Sequence, residues 1–259
     1  ETRRVYGTIN SSKTSKTKGN IGKQMKWIEN IIEPHRLLLT WQPSDTKNRL
    51  RRIIGELIND GEKVKMNYLI GTKDYEEAKK LGFNGFASFS LDSTTYDNVL
   101  DVFMKLLPPR NRSDFNKYME AIRIPIDKQI SDFALLGYSG ARLPDDDYTI
   151  VHPFENVQGR CEVLTEICGF RHNEGVKNVD ELEIGQAVFL AKEPNNQFDS
   201  LAVKIMFNNK RLGYINRVQI QAFNEWINNN SIEEVTIEKI NGSKESPKVY
   251  VFVKVNNKT

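Results

Sequence analysis

Cysteine and histidine are scarce in this sequence. Its 259 residues contain two cysteines, Cys161 and Cys168, and three histidines, His35, His152 and His172. Two cysteines do not form a disulfide framework, so we expect a reduced, cytoplasmic protein. The spacing of Cys161, Cys168 and His172 matches no standard zinc pattern, and we expect no metal and no cofactor. No Ser–His–Asp or Cys–His set stands out either, so we expect a protein that is not an enzyme.

Long hydrophobic runs are also missing. No stretch approaches the roughly 18 apolar residues of a membrane-spanning helix, which excludes an integral membrane protein. The N-terminal residues are polar and basic, without the apolar core of a secretory signal. Because the sequence begins with Glu1 rather than Met, we expect that an upstream piece has been removed. Residues 19–23 lack the spacing and the preceding strand of a phosphate-binding loop, so we expect no helicase motor domain.

A strong net charge is absent too, but the charges are unevenly placed. Residues 1–58 hold twelve Lys and Arg against five Asp and Glu, whereas residues 160–259 hold thirteen of each. Residues 8–25 are almost devoid of apolar side chains, so they cannot bury enough surface to offset their ordering entropy. We expect a flexible basic arm over residues 1–26. It is either a solvated tail or an arm that attracts phosphates, and the sequence leaves both open.

The first half of the sequence predicts strands followed by helices. The apolar run 36–41 and the alternation over 63–70 predict strands, and 49–58 suits a helix or a half-buried strand equally. Helices are predicted over 74–81, over 98–107 before Pro108, from a cap at Ser113 to about 122, and over 127–138. Strands that precede helices indicate an α+β domain over 27–153.

The second half reads as short strands separated by turns. Strands are predicted over 161–168, 186–192, 201–207, 211–215, 234–240 and 248–255. One helix is predicted over 217–229, with Val218, Phe223 and Trp226 on its packing side. This pattern indicates a small β-barrel over 158–259, and the domain boundary is predicted at 150–158.

Four sequence pieces of the second half occur together. They are GFRH (169–172), LAKEPNNQFD (190–199), LAVKI (201–205) and RLGYI (211–215). A structural interpretation suffices for several residues: Pro194 and Asn195 make a turn, Ala202 points inward, and Gly213 permits a bulge or a close backbone approach. The order of the pieces, however, resembles the HIRAN domain, over about residues 160–255.

The resemblance implies a fold similar to the OB-fold and binding of the 3′ end of single-stranded DNA. Carried over by position, the implied site residues are Arg171, His172, Asn173, Phe198, Asp199, Tyr214 and Arg217. A ring can stack on any base, an Arg can contact phosphates, and the Asp199 carboxylate can accept a hydrogen bond from a terminal 3′-hydroxyl. His172 and Asn173 stand where the family pattern has aromatic residues.

A weaker resemblance covers about residues 36–150. The pieces IGEL (54–57), VKMNY (64–68), LLPPR (106–110) and FALLG (133–137) follow one another as in the N-terminal subdomain of HipA-type toxin kinases. That resemblance implies a surface for a protein partner, without the kinase itself, since no catalytic motif of a kinase is present. An ordinary α+β domain is the alternative. The densest basic cluster, Arg49, Arg51 and Arg52, is either solvated surface or a phosphate track.

These observations favour a non-enzymatic nucleic-acid-binding protein. Its expected partner is single-stranded DNA or a DNA end, in a toxin–antitoxin, defence or repair context, and no membrane is expected to take part. The alternative is an antitoxin-like regulator that binds a separately encoded HipA-like kinase. A nuclease is a third hypothesis, which no carboxylate spacing supports.

Overall fold

Two sheet-containing regions follow one another along the chain. The computed structural model describes residues 25–44, 50–141, 147–172 and 174–258. Nearly all of the predicted basic arm, with Arg49 and Asn173, lies outside these ranges. The strands are β1 Arg36–Trp41, β2 Arg52–Asn59, β3 Val64–Tyr68, β4 Thr95–Tyr96, β5 Tyr148–Val151, β6 Gly159–Glu166, β7 Phe189–Lys192, β8 Val203–Phe207, β9 Lys210–Tyr214, β10 Ile232–Ser243 and β11 Ser246–Asn257. The helices are α1 Lys73–Lys80, α2 Leu100–Met104, α3 Phe115–Ala121, α4 Asp132–Ser139 and α5 Ile220–Asn228.

The first region is an antiparallel sheet in the order β4-β3-β2-β1-β5, with α1 to α4 between β3 and β5. The predicted strands at 36–41 and 63–70 are confirmed. The ambiguous segment 49–58 is a strand, because β2 pairs with both β1 and β3 and this pairing overrides its helical pattern. Gly55 suits that position, since a Cβ atom there would lie 3.0 Å from the carbonyl oxygen of Asn67.

Two predicted helix starts in this region were wrong. Ser113 does not cap α3, which follows Asp114, and α4 starts at Asp132 rather than at 127. The Ser131 hydroxyl accepts a hydrogen bond from the backbone N–H of Ala134, which satisfies one of the unpaired amides of the first turn and fixes the start of α4. The predicted helix over 98–107 is also shorter, and forms only at Leu100–Met104.

The second region contains two three-stranded antiparallel sheets, β10-β11-β6 and β7-β8-β9. The six predicted strands are present, but they do not make the predicted closed barrel. Isolated bridges, Cys168 with Tyr214 and Ala187 with Thr236, join the two sheets. The chain between β6 and β7 leaves strand geometry for 3₁₀ helices at Phe170–His172 and Glu174–Glu181, which interrupts continuous pairing there. The mixed α and β content of the chain agrees with the prediction.

Helix α5 covers the core of the second region. A 3₁₀ turn over Arg217–Gln219 leads into it, and its predicted packing residues Val218, Phe223 and Trp226 are all buried. The apolar residues form two large clusters, one drawn mainly from residues 28–150 and one from residues 154–255. Each region therefore has a core of its own.

Candidate nucleic-acid interface

The turn after β7 is held by its own side chains. The Oδ1 atom of Asn196 accepts hydrogen bonds from the backbone N–H groups of Phe198, at 2.9 Å, and Asp199, at 3.1 Å. Asp199 in turn accepts the N–H of Leu201 through Oδ1, at 2.9 Å. Asn and Asp are suited to this role because their short side chains reach backbone groups two or three residues ahead. The turn is fixed before any ligand arrives.

Phe198 stands at the tip of this turn with its ring in solvent. The residue is 87% exposed, although phenylalanine is usually buried in a folded protein. Nothing in the core depends on this ring. Its exposure leaves both faces accessible to a planar ligand such as a nucleobase.

Tyr214, at the end of β9, is joined to the same turn by hydrogen bonds. Its hydroxyl donates to Oε2 of Glu193 at 2.8 Å and lies 3.4 Å from Nδ2 of Asn196. Nη1 of Arg211 lies 2.8 Å from the hydroxyl, and the Arg211 guanidinium lies 5.2 Å from the centre of the Tyr214 ring. The ring is therefore held between strand and turn.

These contacts shift the pKa values of the two acidic groups in opposite directions. The pKa of Glu193 is lowered, chiefly by the hydrogen bonds that Asn196 and Tyr214 donate to its carboxylate. The pKa of Tyr214 is raised, chiefly because the hydroxyl is partly removed from water. The carboxylate stays charged and the phenol stays neutral around pH 7, so the contact between them persists.

Arg217 connects the turn to the first region. Its Nη1 atom lies 2.9 Å from Oδ1 of Asp74 in α1, and its Nε atom lies 4.0 Å from Oδ2 of Asp199. The side chain of Asp74 is 10% exposed, whereas that of Arg217 is 35% exposed. The guanidinium thus lies between two carboxylates and still contacts solvent, where a phosphate could reach it.

Arg171 and His172 lie close in sequence to a strand junction. The backbones of Cys168 and Tyr214 exchange hydrogen bonds of 2.8 and 2.9 Å, and the 3₁₀ helix Phe170–His172 follows directly. Arg171 and His172 are both exposed, and Nε of Arg171 donates to Nε2 of His172 at 3.2 Å. Side-chain contacts therefore connect Tyr214 and Arg217 to the turn that carries Phe198 and Asp199. The backbone bridge between Cys168 and Tyr214 brings the chain segment of Arg171 next to β9.

The second set of arginines is placed differently. Arg52 is 4% exposed, and its guanidinium donates to the carbonyl oxygen of Leu50 and to Glu77. Arg51 donates to the Thr149 hydroxyl. Because the Arg52 guanidinium is buried in contacts within the first region, it is not exposed for the phosphate contact that the sequence suggested.

The sequence did not assign three residues that the structure places in this network. Arg211, Glu193 and Asn196 all contact the Tyr214 hydroxyl or its partners. Glu193 and Asn196 belong to the turn that the sequence predicted, but no site role was predicted for either side chain. Arg211 lies three residues before Tyr214, and no pattern distinguishes it from an ordinary solvated arginine.

The described ranges also bear on metal binding and on membrane insertion. They hold no group of three or more His, Cys, Asp or Glu residues that could bind a metal ion. Burial raises the pKa of the Cys161 thiol to about 12, which keeps it protonated. No helix among these residues is long and apolar enough to cross a membrane.

Comparison with known proteins assigns the second region to a class. Residues 161–256 match the family model of the HIRAN domain, so this part of the chain is a HIRAN domain. Among solved structures, the HIRAN domain of human HLTF is 19% identical, covers 39% of this chain and 81% of its own, and has a TM-score of 0.32. A protein from Lactobacillus plantarum is 22% identical, covers 38% of this chain and 100% of its own, and has a TM-score of 0.30. No curated protein matches the chain.

Proposed function

We propose that this protein binds single-stranded DNA through its HIRAN domain, with a preference for free 3′ ends. The observation that supports the proposal best is the solvent-exposed ring of Phe198 on a rigid turn beside Asp199 and Arg217. A stacking ring, a cation and a hydrogen-bond acceptor are thereby adjacent. These three groups match the base, the phosphate and the terminal hydroxyl of a strand end.

Each group has a separate task. Stacking of a base on Phe198 contributes about 1–3 kcal/mol without regard to sequence. Arg171 and Arg217 contact phosphates. Oδ1 of Asp199 is used by the Leu201 amide, and Oδ2, which lies 4.0 Å from Arg217, is placed to accept a hydrogen bond from the 3′-hydroxyl. A 3′-phosphate would instead repel this carboxylate.

The domain has no large basic surplus, so its electrostatic contribution is small. Two phosphate contacts predict that the logarithm of the binding constant falls with the logarithm of salt concentration at a slope of about −1.4. His172 and Asn173 supply no aromatic ring. We therefore expect micromolar rather than nanomolar affinity, dominated by stacking and end recognition.

The test is fluorescence anisotropy with labelled single strands that end in a 3′-hydroxyl or a 3′-phosphate, at two salt concentrations. We expect the hydroxyl end to bind more tightly, and Phe198→Ala and Arg171→Ala to weaken binding about tenfold each. Phe198→Tyr keeps the ring and should bind like the wild type. Ile126→Ala, which alters an exposed apolar residue of the first domain, is the matched control. Equal binding by the wild type, Phe198→Ala and Arg171→Ala would refute the site.

The first domain gives an alternative proposal, a regulator that contacts a separately encoded HipA-like kinase in a toxin–antitoxin context. It is supported by the resemblance of residues 36–150 alone, since the family match lies at 161–256. Co-purification with the product of a neighbouring gene, in the absence of any DNA binding by the full chain, would favour this alternative. DNA binding that Phe198→Ala abolishes would favour the first proposal.

A further inference from the structure

The outward side of the sheet β7-β8-β9 forms a continuous surface next to the proposed end-binding site. Cross-strand pairing places Phe189, Met206 and Arg211 in one row, and Ala191, Lys204 and Tyr214 in the next. Alternation along β8 agrees, since Val203, Ile205 and Phe207 are buried on the opposite side. We call this surface the outer face, and define it by the six residues Phe189, Ala191, Lys204, Met206, Arg211 and Tyr214.

Phe189 is exposed on the outer face, and packing within the fold does not account for a phenylalanine there. Its side chain is 68% exposed at the start of β7, whereas Leu190 beside it packs against the core. Exposing a phenylalanine leaves a large apolar area in water, and a planar ligand that stacked on the ring would remove this area from water. With Phe198 it is one of two strongly exposed phenylalanines among the described residues.

The outer face is also cationic around this ring. Lys204 and Arg211 extend from neighbouring strands, and Glu193 at the rim lies 3.9 Å from the first and 3.7 Å from the second. Two cationic side chains thus flank one carboxylate on this face. Glu193, Lys204 and Arg211 also line a shallow depression together with Met206 and Asn209. Charge and shape suit an anionic chain that carries planar groups.

We propose that the outer face binds the body of the same single strand whose end Phe198 holds. This inference rests on the proposed function. Tyr214 belongs to both surfaces, so a strand that leaves the end-binding site passes directly onto Lys204, Arg211 and Phe189. Phe189 on β7 and Tyr214 on β9 are separated by two inter-strand spacings and by two residues along the strand direction. This separation corresponds to roughly 12 Å. That is several times the ~3.4 Å between stacked bases along one strand of duplex DNA, so the two rings contact different bases.

The outer face would extend the length of DNA that the domain contacts. The proposal is therefore tested by comparing strands of different length. Anisotropy competition is measured with oligothymidylates of two, eight and twelve nucleotides, all with a free 3′-hydroxyl. We expect Phe189→Ala to leave the two-nucleotide affinity unchanged and to weaken twelve-nucleotide binding about tenfold, which equals about 1.4 kcal/mol. Lys204→Gln should reduce the salt slope for the long strand by about 0.7.

Phe189→Tyr should restore twelve-nucleotide binding, and Ile126→Ala should not change it. Circular dichroism melts confirm that each variant is folded. If Phe198→Ala weakens every length while Phe189→Ala weakens none, the end-binding site stands and the outer face is refuted. If the wild type binds no single strand of any length, the proposed function itself fails. Conversion of a dimer to a monomer by Phe189→Ala, without an effect on DNA, would also refute the proposal, because the ring would then be a protein contact.

Discussion

His152 shows how a single residue can couple protonation to folding. The imidazole is buried and stacked on Phe154, with the ring centres 3.9 Å apart. Nδ1 accepts the backbone N–H of Phe154 at 2.9 Å, so Nε2 carries the proton and donates to the carbonyl oxygen of Ile32 at 3.1 Å. A second proton on Nδ1 would break the first bond and place a charge in an apolar environment. Burial accordingly lowers the pKa of His152 to about 4 from 6.5.

This depressed pKa predicts a loss of stability in mild acid. The unfolded chain binds a proton at His152 below pH 6.5 and the folded chain does not, so the contribution is present above pH 6.5 and lost as the pH falls toward 4. We expect the free energy of unfolding to drop by about 2 kcal/mol between pH 7.5 and pH 5 from this residue. Urea denaturation at the two pH values measures it.

The control for this prediction is His152→Gln. It should be less stable at pH 7.5 because a buried hydrogen-bonded ring is lost, but its stability should change less between the two pH values. The depressed carboxyl pKa values, such as that of Glu193, act at lower pH and should not mask the effect. An identical pH dependence in the wild type and the variant would contradict the assignment.

At the scale of elements, the junction between β6 and β9 depends on one glycine. Gly213 has no side chain, and a Cβ atom there would lie 2.4 Å from the carbonyl oxygen of Cys168 and 2.6 Å from Cγ2 of Ile167. The β8–β9 register also shifts at this point, between Ile205 and Met206. The close approach lets Cys168 pair with Tyr214, and so brings the Arg171 segment beside the proposed site. The predicted structural role of Gly213 is confirmed.

Gly213→Ala should therefore destabilise the protein by about 1–3 kcal/mol, because the backbone of Cys168 must move to admit the methyl group. The same movement displaces Tyr214, so binding of single-stranded DNA should weaken as well. Urea denaturation and anisotropy measure the two effects.

Gly61→Ala is the comparison variant, because an added methyl group there would meet backbone strain but no crowding. Gly61 has a φ of +93°, but a Cβ atom there would meet no atom within 4 Å. We expect a cost of about 1 kcal/mol and unchanged DNA binding. If both alanine variants lost the same stability and bound DNA equally, close approach would not be the reason for glycine at 213.

At the scale of the whole molecule, buried polar contacts join the two regions. Nε of Arg123 donates to Oε1 of Glu238 at 2.7 Å, and both residues are buried. The segment before β1 adds to the junction, since Glu162 accepts the backbone N–H groups of Glu29 and Asn30. Such paired groups fix geometry rather than add much stability, because each leaves water to form the contact. The two regions are therefore set in one arrangement, in which Asp74 reaches Arg217.

The contact between Asp74 and Arg217 gives a prediction about DNA affinity. The Asp74 carboxylate neutralises a guanidinium that we propose to contact phosphate, so the first region competes with the ligand. Asp74→Asn removes the charge and keeps an oxygen for the Ile53 N–H, which Asp74 now accepts through Oδ2. We expect Asp74→Asn to tighten single-strand binding about threefold to tenfold, as measured by anisotropy at low salt.

A double-mutant cycle with Arg217→Gln isolates this contact. In the Arg217→Gln background, Asp74→Asn should have no further effect on affinity. Weaker binding by Asp74→Asn alone would show that Asp74 positions Arg217 for the ligand instead of competing for it.

The sequence by itself determined what depends on neighbours along the chain. Alternating apolar residues predicted most strands, since one face of each must be buried. Four local sequence pieces carried the resemblance that predicted the HIRAN domain. Within one of them, the turn at 193–199 follows from nearby residues, because Asn and Asp side chains act on backbone groups within three residues. Phe198 and Asp199 were assigned from that resemblance, and their role in binding stays a prediction.

Only the tertiary structure decided what depends on residues far apart in sequence. The pairing partners of 49–58 made it a strand, and two bridges with intervening 3₁₀ helices replaced the expected barrel. The approach of Asp74 to Arg217, the burial of Arg52 and the exposure of Phe189 are likewise set by packing between distant segments. Local preferences cannot specify such contacts, because their energy arises only when the folded chain brings the partners together.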